Sequence, residues 1–248
     1  MPPSVSIVIP VFREPEELLD DLALWIDKNS SDKIEWLVSI ADDEESLSYL
    51  KNSVFSYPES AEKNLYLLIG ERGRARQMNR GLEHARGDVV AFLHADTRLE
   101  TRGLNELLEL SINKKAPLEV VSWGCFKPSI DEAGVLFRIA EWWGFIRTRL
   151  LGIPFGDQCI FARKSVFQSV CGFDESVDFM EDLHLSKTLT RKFGRPAIMS
   201  GSAVTSSRLW NKNKGFSRPF RQSLKNFFAF VLFQAGIPRE LIRQWYHR

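Results

Sequence analysis

Four apolar runs, the first of them largely β-branched, recur along the first part of the chain, with segments of helical periodicity between them. No other feature of the sequence constrains the fold as strongly. The runs are SVSIVIPV (4–11), IEWLVSIA (34–41), LYLLI (65–69) and DVVAFL (88–93). The segment after the first run places Leu18, Leu22, Trp25 and Ile26 on one helical face. A second helix is expected from about residue 44 to 55, and a third over ARQMNRGLEHA (75–85). Strands alternating with helices in this way predict a parallel sheet, closed on both faces by right-handed crossovers.

Beyond about residue 115 the rhythm changes. LEVVSWGCF (118–126) reads as a strand, residues 132–151 as a long aromatic helix, and DQCIFARKSVF (157–167) as a strand running into a helix. MEDLHLSKTLTRKFG (180–194) reads as a helix capped at Gly194. The tail reads as two helices broken at Gly236 and Pro238. No Pro/Gly/Ser-rich linker divides the 248 residues, so a single domain over 1–248 is expected.

Composition removes several function classes. The 33 basic and 32 acidic side chains nearly cancel, which leaves no global electrostatic reason for a nucleic-acid partner. Cys125, Cys159 and Cys171 form no CxxC pair and the four histidines are scattered, so neither a disulfide framework nor a zinc site is expected. A reducing cytoplasm fits that usage. The start MPPSVSIVIPVF lacks a basic n-region, and FFAFVLF (227–233) is far shorter than the roughly 20 residues that cross a bilayer, so neither a signal peptide nor a transmembrane span is expected.

In an open parallel sheet, ligands bind where the strands end. Polar groups collect at those ends here: Glu14 after the first strand, Asp42 and Asp43 after the second, Gly73 to Arg76 after the third, and His94-Ala95-Asp96 after the fourth. GERGRARQMNRG contains neither GxxxxGK[ST] nor GxGxxG, which argues against P-loop NTPases and dinucleotide enzymes. It places Arg72, Arg74, Arg76 and Arg80 around a helix start, where the macrodipole disfavours positive charge. A bound phosphate would resolve that conflict, because the guanidinium fork suits it; a solvated basic face balanced by Glu71, Glu83 and Asp88 is the alternative. Asp96 lies where a carboxylate could share Mg²⁺ or Mn²⁺ with substrate phosphates; the alternative is that Asp96 or Thr97 simply caps the following turn or helix.

The ordered set SIVIPVFRE, ADD, GRARQMNRGLEHARGDVVAFLHADT and GDQCIFARKSVFQSVCGFDESVDFMEDLHLSKTLTRKFG resembles family 2 glycosyltransferases of the GT-A fold, over residues 4–200. GRARQMN and FLHADT are similar to the subgroup of radical-SAM/selenodomain-associated transferases. The resemblance implies an α/β fold with a mainly parallel Rossmann-like sheet flanked by helices and a helical C-terminal segment. Residues 1–115 would form the nucleotide-binding half and 116–248 the acceptor half.

It also implies roles. Pro10 and Glu14 would line the nucleoside pocket, Asp42 or Asp43 would read the base, and Arg74 or Arg76 would face the diphosphate of a nucleoside-diphosphate sugar. His94-Ala95-Asp96 occupies the DxD position, with Asp96 matching the metal-binding aspartate and His94 replacing the first one, at the donor. Glu181-Asp182 matches the position of the base that deprotonates the acceptor hydroxyl, with Asp182 preferred. Asp157 and Gln158 fall on the acceptor-side loop, and Arg208 or Trp210 would close over the diphosphate or the sugar. Mg²⁺ or Mn²⁺ would be the cofactor and inversion the stereochemical course.

LFRIAEWWGFIRTRLLG (136–152) and RPFRQSLKNFFAFVLFQ (218–234) mix basic and aromatic residues. Such helices can lie in a membrane interface, which would suit a lipid-linked acceptor at the inner face, although core-facing stripes look the same. Two other readings stay open at this level. One is a sugar-phosphate nucleotidyltransferase, although PVFREPEE is acidic and lacks the glycine-rich basic loop expected there. The other is a binding module without turnover.

Overall fold

A computed structural model of the chain describes residues 3–12, 14–44, 46–47, 64–112, 121–177, 179–207, 225, 228–233 and 235–246. Among these, eight strands form one sheet in the order β3-β2-β1-β4-β7-β6-β8-β5. Its first half is the expected parallel unit: β1 (Val5–Val11), β2 (Ile34–Ala41), β3 (Leu65–Gly70) and β4 (Val89–Phe92) pair in parallel. β1 and β2 are buried along their whole length, which is why their sequences run apolar without a break.

Alternate residues of these strands feed two cores. Ile7 and Ile9 with Trp36 and Val38 face α1 (Glu16–Lys28) and α3 (Thr101–Ile112), through Leu22, Ile26, Leu104 and Leu107. Val8 and Leu37 face α2 (Arg74–His84) through Met78 and Leu82. Gly81 of α2 is needed for that contact, since a β-carbon there would stand 2.2 Å from Val8 Cγ1.

The second half is mixed. β7 (Ile160–Arg163) pairs antiparallel with β4 and with β6 (Trp123–Ile130), and β6 pairs in parallel with β8 (Ala197–Thr205). β5 (Thr97–Leu99) pairs antiparallel with β8 at the far end of the strand order. Thr97 therefore begins a strand and is not a helix cap. From Phe92 to Thr97 the chain reaches at most roughly 17 Å, whereas four strand spacings in a flat sheet would take roughly 19 Å. The sheet must curl, and its curl brings the β4–β5 turn, with His94 and Asp96, to the mouth of the fold.

α4 (Val135–Leu151), α5 (Lys164–Ser169) and α6 (Glu181–Phe193) complete the layers, and α7 (Arg239–Tyr246) lies near the C-terminus. α6 ends at Gly194 with positive φ, as expected of its cap. A third small core joins Ile153, Leu183 and Phe230, so the segment 228–233 packs against the loop after α4 and the start of α6. Most of the helix expected over 44–55 lies outside the described residues. No helix among the described residues is long and apolar enough to cross a membrane.

Candidate active site

Three connections converge at the carboxyl ends of β1, β2 and β4. The β4–β5 turn is closed by Thr97 N–H donating to His94 O at 3.0 Å, and Thr97 Oγ1 donates to Asp96 Oδ1 at 3.1 Å. α2 starts at Arg74, whose Nε lies 3.2 Å from Glu181 Oε1. Gln77, one turn into α2 and fully buried, donates to Val11 O at 2.7 Å and Ser39 O at 2.8 Å, clamping the ends of β1 and β2.

The other wall comes from the segment between α4 and β7 and from the start of α6. After α4 the chain turns through Gly152 in the left-handed region and enters a short 3-10 turn, Gly156–Gln158, before β7. Gly156 N–H donates to Asp182 Oδ2 at 2.6 Å, while Leu183 N–H donates to Asp182 Oδ1 at 2.7 Å. The His94 ring packs on Gly156 so closely that a β-carbon there would lie 2.0 Å from Nε2. Gln158 is buried; its Oε1 accepts from Arg147 at 2.9 Å and its Nε2 donates to Phe126 O at 3.3 Å. Arg147 is itself buried, donates to Ile153 O at 2.9 Å and lies over the Phe155 ring at 3.5 Å.

The titratable groups of this cleft interact with one another. Burial, reinforced by Asp96 and opposed by Arg74, pushes the Glu14 carboxyl up to about 7. Burial also raises Asp96, against the Thr97 hydrogen bond and the charge of Arg74. Asp157 is pushed up to about 6 by burial, with Arg147 opposing and Asp182 and Asp96 adding to the rise. Glu181 is raised to about 6 by burial and by Asp182, with Arg74 opposing. Burial, then the charge of Arg74, holds His94 well below the usual imidazole range, so it is neutral near pH 7. Burial is thus the main reason that Glu14, Asp96, Asp157 and Glu181 are held toward protonation, with neighbouring carboxylates adding to the rise at Glu14, Asp157 and Glu181.

A cleft of this kind can hold a cation and a phosphate on its Arg74–Asp96 side and deprotonate a hydroxyl on its Asp182 side. Comparison with known proteins gives that chemistry a family. Residues 6–166 match the model for Glycosyl transferase family 2. The chain belongs to that family. The mannosyltransferase PcManGT from Pyrobaculum calidifontis, solved in complex with GDP-Man and Mn²⁺, superposes with a TM-score of 0.63 at 16% identity. That likeness covers 99% of this chain and 70% of the mannosyltransferase. S. aureus TarS, residues 1–349, superposes with a TM-score of 0.56 at 13% identity, over 93% of this chain and 64% of that one. The chain thus spans a little under two thirds of the TarS fragment. A search of curated protein sequences finds no match.

The fold is that of GT-A glycosyltransferases, and the protein is a glycosyltransferase. Neither comparison supports the narrower likeness to radical-SAM/selenodomain-associated transferases. The family match ends before α6, so Glu181 and Asp182 lie outside it.

The structure brings Glu14, Arg74, His94, Asp96, Asp157, Glu181 and Asp182 of this glycosyltransferase into one cleft. Pro10 lies near the end of β1, opposite Ser39 of β2. Asp42 follows β2 and is exposed, and Asp43 accepts from Ser46 N–H at 3.0 Å. Arg76 turns instead toward Glu71 and Glu175, at 3.5 and 3.7 Å, leaving Arg74 as the arginine at the cleft. The Gln158 amide faces the core, so this residue braces the turn. Arg208 and Trp210 lie outside the described residues. Arg147 and Gln77 carry structural duties that the sequence reading did not assign; only Gln77 had a signal, as a polar residue beside Ala75, Met78 and Leu82 on a buried helix face.

Proposed function

We propose that this glycosyltransferase moves a sugar from a nucleoside-diphosphate donor to a hydroxyl acceptor, with inversion and with a divalent metal. Residues 1–115 would form the donor half and 116–248 the acceptor half. The observation that carries this reading is the position of Asp182. Two main-chain N–H groups fix its carboxylate at the start of α6, one of them from the turn that also packs against His94. A carboxylate fixed there can take the proton from an acceptor hydroxyl as its oxygen attacks the anomeric carbon and the bond to the diphosphate breaks. Arg74, half exposed and bridged to Glu181, would face the leaving diphosphate and stabilise its charge.

The residues fit a divalent cation. The available donors are hard carboxylate oxygens, and Asp157 Oδ1 is buried without a hydrogen-bond partner among the described residues. No group of three or more His, Cys, Asp or Glu side chains among the described residues is placed to hold a metal ion by itself. Asp96 would therefore hold Mg²⁺ or Mn²⁺ together with donor phosphates, and the metal would neutralise charge on the leaving group. The mannosyltransferase bound to GDP-Man and Mn²⁺ supports the same combination here.

A thermal-shift panel of UDP, GDP, CDP, ADP and dTDP, with and without Mn²⁺, tests the donor site. One diphosphate should stabilise the wild type in the presence of Mn²⁺, and Asp96→Ala should abolish that gain. No shift with any nucleotide would overturn the reading.

A second observation bears on location. On α4, Val135, Ile139, Trp142 and Leu150 stand exposed, with Arg138 and Arg149 between them. An exposed apolar row edged by arginines suits contact with an anionic membrane surface from the cytoplasmic side. Co-sedimentation with phosphatidylglycerol vesicles that is lost in Trp142→Ser would support it; equal sedimentation of the two proteins would overturn it.

A further inference from the structure

Arg147, on α4, is an arginine that solvent hardly reaches: 6% of it is exposed. Its Nε donates to Ile153 O at 2.9 Å and its Nη2 to Gln158 Oε1 at 2.9 Å, so two arms of one planar fork hold both ends of the chain that links α4 to β7. The Phe155 ring, between those ends in sequence, lies over the guanidinium at 3.5 Å. Gln158 Oε1 also accepts from the Phe155 N–H at 3.3 Å, which closes the segment into one unit around the arginine.

Asp182 is fixed to that unit. Gly156 N–H, inside it, donates to Asp182 Oδ2 at 2.6 Å. Ile153 packs against Leu183, whose N–H donates to Asp182 Oδ1 at 2.7 Å. Further along α6, Ser186 Oγ donates to Pro154 O at 2.8 Å and Thr190 Oγ1 to Gly152 O at 2.6 Å, so the segment is seated on α6 as well as on α4. Loss of the fork would release it at two points and let the Gly156 N–H drift from the carboxylate.

Stability alone does not explain a cation here. Taking a guanidinium out of water is costly, and a well-packed apolar side chain of similar volume commonly serves a fold as well or better. Burial pulls Arg147 below the ordinary arginine range, and the charges of Asp157 and then Asp182 oppose that pull, so the cation is tied to the site electrostatically as well as by its bonds. Arg74 does not duplicate it, being half exposed and bridged to Glu181.

Resting on the reading of Asp182 as the base, we propose that Arg147 is its positioning residue: through Ile153 and Gln158 it holds the segment 152–158 so that the Gly156 N–H keeps the Asp182 carboxylate set for the acceptor hydroxyl. Buried beneath the turn, it acts through that segment and not by contact with donor or acceptor. Its loss therefore slows the chemical step and leaves donor binding in place.

The test follows release of diphosphate from UDP-glucose, GDP-mannose, dTDP-glucose, CDP-glucose and ADP-glucose in the presence of Mn²⁺, with water as the reacting hydroxyl. It continues with whichever of these the wild type hydrolyses. Arg147→Met keeps the stem and removes the fork. Its kcat should fall by roughly 100-fold, the cost of a displacement of about an ångström at a reacting centre, while the donor KM stays within about 3-fold of wild type. Arg147→Lys keeps the charge but can bond only one of the two acceptors, so it should lose about 10-fold in kcat. The lysine variant carries the comparison if thermal unfolding shows that the methionine variant does not fold. In an Asp182→Asn background either substitution should cost no more than about 3-fold, because its effect runs through that carboxylate. A donor KM that rises with kcat unchanged would overturn the proposal. So would an undiminished further loss in the Asp182→Asn background, or wild-type kcat in the folded Arg147 variants. Wild-type kcat in Asp182→Asn, or a wild-type protein that hydrolyses none of these sugars, would instead overturn the transfer reading, and this inference with it.

Discussion

The main-chain N–H of Gly156 donates to Asp182 Oδ2 across 2.6 Å, and the same glycine seats the ring of His94. One residue without a side chain thereby ties the turn after β4 to the start of α6. Gly156→Ala places a methyl group 2.0 Å from His94 Nε2, so the ring or the turn must shift. Overpacking of this kind costs about 1–3 kcal/mol. Urea denaturation should show that loss, and sugar transfer should fall by roughly 10-fold or more, because displacement by about an ångström is expensive at a reacting centre. A variant as stable and as active as the wild type would mean that His94 moves aside freely.

Asp182→Asn removes the proposed proton acceptor and keeps the shape of the side chain. Transfer should drop by about 10²–10⁴-fold, the range general-base catalysis supplies, while nucleotide binding persists. Glu181→Gln should act differently: it weakens the bridge to Arg74 and so should raise the donor KM more than it lowers kcat. Steady-state kinetics on both variants separates the roles. Equal kcat losses in the two would leave the choice between them unmade in favour of a shared acid pair.

How much of this was legible beforehand depended on burial. β1, β2 and β4 stood out because strands covered on both faces stay apolar throughout. β8 was hidden, since AIMSGSAVT is rich in small residues and half exposed, and β5 is only three residues long, after Asp96. The strand ends pointed to the end of the sheet where Glu14, Arg74 and Asp96 lie close enough to influence one another. Gln158 resembled a ligand contact in sequence, but the amide is consumed by Arg147 and Phe126. Arg147 was invisible for the converse reason: an arginine in an amphipathic helix is normally solvated, and only tertiary packing places this one beneath the turn.

Gln77 offers a test of the scaffold apart from the chemistry. Its amide spans the ends of β1 and β2, from which Glu14 and Asp42 lead away. Gln77→Leu keeps the volume but leaves the carbonyls of Val11 and Ser39 without those bonds, which should cost about 2 kcal/mol in urea denaturation. Nucleotide affinity should weaken in parallel, because the loops after both strands lose their anchor. Lost stability with unchanged affinity would show that the loops hold their position without it.

The crowded carboxylates also predict how stability depends on pH. The folded values of Glu14, Asp157 and Glu181 lie at about 7, 6 and 6, above the ordinary carboxyl values. Between those ordinary values and the raised ones the folded protein binds more protons than the unfolded chain, so the stability they contribute is complete at low pH and is lost as pH rises through about 6 to 7. Glu14→Gln removes one of these charges. Its Tm relative to wild type should therefore climb between about pH 5 and pH 7.5, where Glu14 ionises in the folded protein. Mn²⁺ binds the ionised carboxylates and competes with their protons, so its stabilising effect should be greater at about pH 7.5 than at about pH 5, and Asp96→Asn should remove it at both. A Tm difference that stays flat across this range would show that Glu14 is not held protonated in the cleft. A Mn²⁺ effect untouched by Asp96→Asn would move the cation away from the β4–β5 turn.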